Sequence, residues 1–176
     1  MKYPVLVIAV FMALSGCTQI TAPDEGLQEL KEIELRYMGR GTIAPATITD
    51  IELMEKELQA LKQKGSSRGV EEMIGIRAAL LGFTKSYLDA QKSMQKISIA
   101  KGGCAEQDPL KQAINKLGST LEKMPEIKSR ISSFQSSNPS LHEQSNISLK
   151  DFDDFAATLQ NLRNEMQNFY DQACAS

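Results

Sequence analysis

The chain has 176 residues, 20 basic and 22 acidic, for a formal net charge of −2. It carries no basic block, which argues against nucleic acid as a partner. Tryptophan is absent and glycine is scarce outside short clusters, while glutamine, lysine, glutamate, leucine and serine dominate, so the composition favours helix over sheet.

The first segment reads as an export signal. Lys2 supplies a basic start, Val5 to Leu14 an apolar run, and Ser15 and Gly16 the small residues before Cys17. The run is about ten residues, far short of the roughly 20 that span a bilayer, so it is expected to be removed. Leu14-Ser15-Gly16-Cys17 resembles the lipobox of prokaryotic lipoprotein precursors, and the resemblance covers residues 1–17 only. It implies that the Cys17 thiol receives a diacylglyceryl group, with fatty acyl chains such as palmitate, and becomes the mature N-terminus. Buried methylenes contribute about 0.8 kcal/mol each, so two acyl chains hold a protein that one would release. In Gram-negative lipoproteins an aspartate after the cysteine retains the protein at the inner membrane. Thr18 stands there instead, which implies outer-membrane delivery if the source is Gram-negative.

Cleavage after residue 16 leaves 160 residues with 19 basic and 22 acidic side chains, enough for one domain with a sizeable core. Residues 17–24 form a lipidated tether, and residues 25–176 the domain. The first helix is predicted from about Glu25 to Met38, with Leu27, Leu30, Ile33 and Tyr37 at three-four spacing. Thr49 and Glu52 look like a capping box that starts a second helix near Asp50. Ile51, Met54, Leu58 and Leu61 line its face, and the glycines of KGSSRG end it.

The third helix, about Val70 to Ala100, is the longest. Its stripe is Met73, Ile76, Leu80, Phe83, Tyr87, Ala90, Met94 and Ile97, and at 1.5 Å per residue it should reach about 45 Å. A second row, Val70, Ile74, Leu81 and Leu88, turns polar at Gln91. The second helix, antiparallel to the third, should cover that row to near Leu88, which predicts no large unclaimed groove on this helix. Asp108 and Pro109 open a fourth helix as cap and first residue. Its stripe is Leu110, Ile114, Leu117, Leu121, Met124, Ile127, Ile131 and Phe134, interrupted by Pro125, which predicts a kink or a break. Residues 135–147 are polar and contain Pro139, so they read as a mobile, replaceable loop. Ser148 and Asp151 cap a fifth helix with the stripe Phe152, Phe155, Leu159, Leu162, Met166, Phe169 and Ala173. Period-two alternation never persists, and the two-helix period of tetratricopeptide arrays is absent. The fold class is therefore all-α: a helical bundle of three long antiparallel helices with a short N-terminal helical hairpin.

With Cys17 committed to lipid, Cys104 and Cys174 form an even pair in an exported chain and are read as a disulfide. The up-down-up order of the long helices brings both to one end. The other candidate chemistry is weak. Asp151, Asp153 and Asp154 lack the glycine turn and distal glutamate of a calcium loop, and suit a helix N-terminus. His142, the one histidine, reads as a solvated loop residue. Phe83, Tyr87, Phe152, Phe155 and Phe169 sit on core stripes, and Tyr170 is placed to cover the disulfide. Asn146-Ile147-Ser148 matches a glycosylation acceptor, a pattern common by chance.

No catalytic constellation, metal set or cofactor motif emerges. The expectation is a lipid-anchored extracytoplasmic lipoprotein of the cell envelope, non-enzymatic, acting as an interaction or envelope-assembly module with a protein partner. The alternative is a lipoprotein that binds a small ligand or metal between helices, which a buried carboxylate or histidine facing the bundle axis would favour.

Overall fold

Every segment with three-four apolar spacing is a helix, because such a stripe buries one face of a helix and of nothing else. The computed structural model describes residues 24–38, 44–99, 107–145 and 147–174. It holds α1 (Glu25–Tyr37), α2 (Ile48–Lys64), α3 (Arg68–Ile99), α4 (Gln107–Ser137), α5 (Pro139–Glu143) and α6 (Leu149–Cys174). No strand occurs among the described residues, and the all-α class holds. Cys17, Cys104, Asn146 and the side chain of Cys174 lie outside what is described, so the lipidation, disulfide and glycosylation readings are not addressed by the fold.

The helix ends follow local chemistry, with two corrections. The fourth helix starts at Gln107, so Asp108 and Pro109 lie inside it and are not its cap and first residue. Asp24 caps α1 by accepting the Gly26 N–H at 3.0 Å, and Ser148 caps α6 by accepting the Asp151 N–H at 3.0 Å. The cap of α2 is Thr47, not Thr49. Thr47 is extended, accepts the Asp50 N–H at 3.1 Å and donates its hydroxyl to the Asp50 carboxylate at 2.7 Å. Glu52 is thereby left out of the cap and reaches Lys85 on α3 instead. Gly65 closes α2 at φ 79°, a left-handed position that a side chain would strain. Pro125 does not break α4, which continues through it to Ser137.

Cross-helix pairs fix the directions. Asp89 pairs with Lys116 while Gly75 lies under Arg130, so α3 and α4 are antiparallel. Lys128 pairs with Asp153 while Gly118 lies under Arg163, so α4 and α6 are antiparallel as well. Each helix packs on the next: α1 on α2, α2 on α3, α3 on α4, α4 on α6. Contacts that skip a neighbour, α1 with α3 and α3 with α6, are sparse. The long helices thus lie with α4 between the other two, and α6 leaves much of α3 uncovered.

The core is continuous through this arrangement. Leu30, Ile51, Met54, Leu58, Met73, Ile76, Leu117, Ile131 and Leu159 are all buried, and each such side chain contributes about 1.5–3 kcal/mol relative to exposure. The second row on α3 is covered as expected at Val70, Ile74 and Leu81. At the far end of α6 the pattern misled: Phe169 is 37% exposed, and its neighbour Tyr170 packs on the core instead. The 3.6-residue pitch drifts against a three-four stripe, and near a helix end no further layer forces the register back.

The segment expected to be a mobile loop is largely helical, and a few of its side chains are packed. Residues 139–143 form α5, with Pro139 at its first turn. Ser145 is fully buried and donates its hydroxyl to the His142 carbonyl at 2.8 Å, while Ile147 is 4% exposed. Leu141 reaches α3 so closely that a methyl at Gly69 would lie 2.5 Å from its Cδ1. Lys31 of α1 donates to Gln144 at 2.8 Å. The starts of α1 and α3 and the 138–147 segment therefore gather at one end. His142 is not a solvated residue either; its ring lies 6.5 Å from that of Phe134 at 57° and its Nε2 is enclosed.

Candidate functional site

The α2 cover over α3 runs out where Lys85 meets Glu52 at 2.7 Å. Beyond that pair, a groove of about 560 Å³ opens between α3, the chain before α2 and the first half of α6. It corrects the expectation of an unbroken cover. Leu88 and Tyr87 from α3, Phe155 from α6 and the Ala44–Pro45–Ala46 segment make its apolar lining. Tyr87 and Phe155 meet edge to face, with centroids 6.3 Å apart and planes at 71°, a favoured aromatic geometry. Both are partly buried, whereas Phe83 and Phe152 are buried in the core.

The polar groups here are few and directional. Thr84 and Thr158 also line the groove, but their hydroxyls are tied to the Leu80 and Asp154 carbonyls, each at 2.9 Å. Gln91 donates to the Tyr87 hydroxyl at 2.6 Å, which leaves the phenol proton available. The rim carries Asp151 and Asp154, both exposed and one helical turn apart on α6. Neither carboxylate is engaged in an ion pair among the described residues, in contrast to Asp153, which holds Lys128 at 2.7 Å. The three aspartates of DFDD thus divide between a structural bridge and a groove rim, and among the described residues no group of three His, Cys, Asp or Glu side chains could hold a metal ion.

A second groove, about 430 Å³, runs between α4 and α6 at Pro125. Leu121, Met124, Pro125, Phe152, Ala156 and Ala157 line it, and the Lys128–Asp153 pair closes one side. Small residues on α6 and the proline on α4 keep the two helices from filling the space.

Near the groove, the hydrogen bond from Lys85, reinforced by its charge, holds the Glu52 carboxyl below the usual range. The same bond holds the Lys85 ammonium above its usual value. Because Glu52 is lowered, its contribution is complete above the unfolded carboxylate value and is lost as pH falls through the lowered one. The Lys85 contribution is complete below the unfolded lysine value and is lost as pH rises through the raised one. Lys85→Met is expected to return Glu52 to the ordinary range in an NMR carboxyl titration, with little loss of stability because the pair is exposed. An unchanged Glu52 midpoint would show that the pair does not form in solution.

Sequence reasoning missed the most deeply buried charge. Arg77 on α3 is fully buried, and its Nε and Nη2 each lie 2.7 Å from Oε1 of Glu34 on α1, itself 7% exposed. The signal was present: Arg77 occupies the vacant step between Ile74 and Leu81 in the second row. Glu34 is a buried carboxylate of the kind that would favour a ligand site, but its charge is already met by Arg77. Compared with protein families, with characterised proteins and with solved structures, the chain matches none.

Proposed function

We propose that the chain is a membrane-anchored extracytoplasmic lipoprotein, a non-enzymatic interaction or envelope-assembly module that engages a protein partner. The single observation that carries the interaction reading is the groove between α3 and α6. There an aromatic pair and an apolar lining stay accessible where the α2 cover ends, and such patches on a folded surface mark interaction sites. The anchor rests on the Leu14–Cys17 motif. Cys17 stands about seven residues before Glu25, a tether of at most roughly 25 Å. In this reading the end that gathers the starts of α1 and α3 with residues 138–147 lies toward the bilayer.

One intact-mass measurement on the mature chain, alkylated during isolation, tests both covalent claims. Acyl chains on Cys17 and no alkylated Cys104 or Cys174 are expected, and Cys17→Ser should abolish acyl labelling and membrane partition. A Cys17→Ser chain that is still labelled and membrane-bound would sink the lipoprotein assignment. Crosslinking and affinity capture of the lipidated protein in its native membrane tests the partner, and retention of one protein is expected.

The groove at Pro125 favours a second reading, a lipoprotein that binds a small apolar ligand. Its volume falls within the range of small-molecule sites. Native mass spectrometry separates the two readings: a stoichiometric small-molecule adduct that displaces no protein supports the second.

A further inference from the structure

We propose that the α3–α6 groove receives a cationic amphipathic segment of the partner protein, an apolar side chain seated on Leu88 and Phe155 and a lysine or arginine at Asp151 and Asp154. The proposal rests on the interaction-module reading and specifies the chemistry of its partner. Two features identify the occupant. The lining is apolar and aromatic, with both threonine hydroxyls satisfied by their own helix, so the seated group is apolar. The rim offers two exposed carboxylates that form no ion pair among the described residues, while the other acidic residues near the opening are engaged. Glu52 is held by Lys85, Asp89 by Lys116, Asp153 by Lys128, and Asp50 serves the α2 cap. Asp151 and Asp154 stand one turn apart on α6, within span of a single guanidinium.

The volume accommodates a few side chains and not a folded domain, which fits the anchors of a helix or short peptide laid along the groove. An anionic segment would meet the two carboxylates and be repelled. A purely apolar one would gain nothing from them. Exposed ion pairs add little affinity, so the rim acts by selecting the sign of the partner while the apolar contact supplies the hold.

The test uses the full lipidated chain in nanodiscs of zwitterionic lipid. The probe is a fluorescent 14-residue leucine–lysine amphipathic peptide, with empty discs as blank. Saturable binding above the blank is expected, and the glutamate version of the peptide should not bind. Asp151→Asn with Asp154→Asn should weaken binding about five-fold, and Thr158→Arg, which adds a cation at the exposed rim, at least as much. The charge-matched pair Glu126→Gln with Glu165→Gln, both exposed and off the groove, should leave binding unchanged. All variants are at exposed positions, and unchanged melting confirms their fold. Equal loss in both pairs of variants, no saturable binding, or sedimentation showing a dimer that Thr158→Arg dissociates would overturn the proposal. If native-membrane capture retains a partner that both groove variants still hold, the groove assignment fails and the interaction-module reading survives.

Discussion

Glu34→Ala is expected to cost about 3–5 kcal/mol, because it removes the carboxylate that faces the buried Arg77 guanidinium. Arg77 is fully buried, and Glu34 lies on it at 2.7 Å between α1 and α3. For a domain of this size the loss should appear as a fall of about 2 M in the urea midpoint. Arg77→Met is expected to be destabilising as well, because it leaves the buried Glu34 carboxylate without its Arg77 partner. The double variant Glu34→Met with Arg77→Met should recover most of the stability, since apolar groups of similar volume replace buried pairs at little cost. Additive losses in that cycle would mean the two side chains do not act as a pair.

Replacing residues 138–147 with a six-residue glycine–serine link should destabilise the fold by about 4 kcal/mol. Ile147 alone, nearly fully buried, is worth about 2–5 kcal/mol as an Ile→Ala change. Leu141 covers Gly69, and α5 shields Phe134, so both lose packing at once. Against this, the shorter connection recovers well under 1 kcal/mol of closure entropy. Ile147→Ala should reproduce about half the loss without altering chain length. A replacement that stays within about 1 kcal/mol of the parent would show that the segment is a passive linker.

The sequence by itself determined the elements. The stripes of three-four spacing, from Leu27–Leu30–Ile33 to Phe152–Leu159–Met166, became buried helix faces over most of their described length, because periodicity and burial of one face are local consequences of helix geometry. The cap at Ser148 and the stop at Gly65 were legible for the same reason, each acting within a few residues of itself. The candidate groove was half legible. Tyr87 and Phe155 were singled out as aromatic positions, but on their own helices they were indistinguishable from core residues. Only the tertiary structure decided that they meet at 6.3 Å on a face that α6 leaves open. It also decided that Arg77 is buried, since a charged residue in an apolar row is tolerated only where another helix brings the opposite charge. It decided that Leu141 packs on Gly69, far away in sequence, that His142 packs on Phe134, and that Ser145 and Ile147 are buried. Spacing along the chain reports which way a side chain points; what it meets there depends on how neighbouring helices cross, and that is set by all of their contacts together.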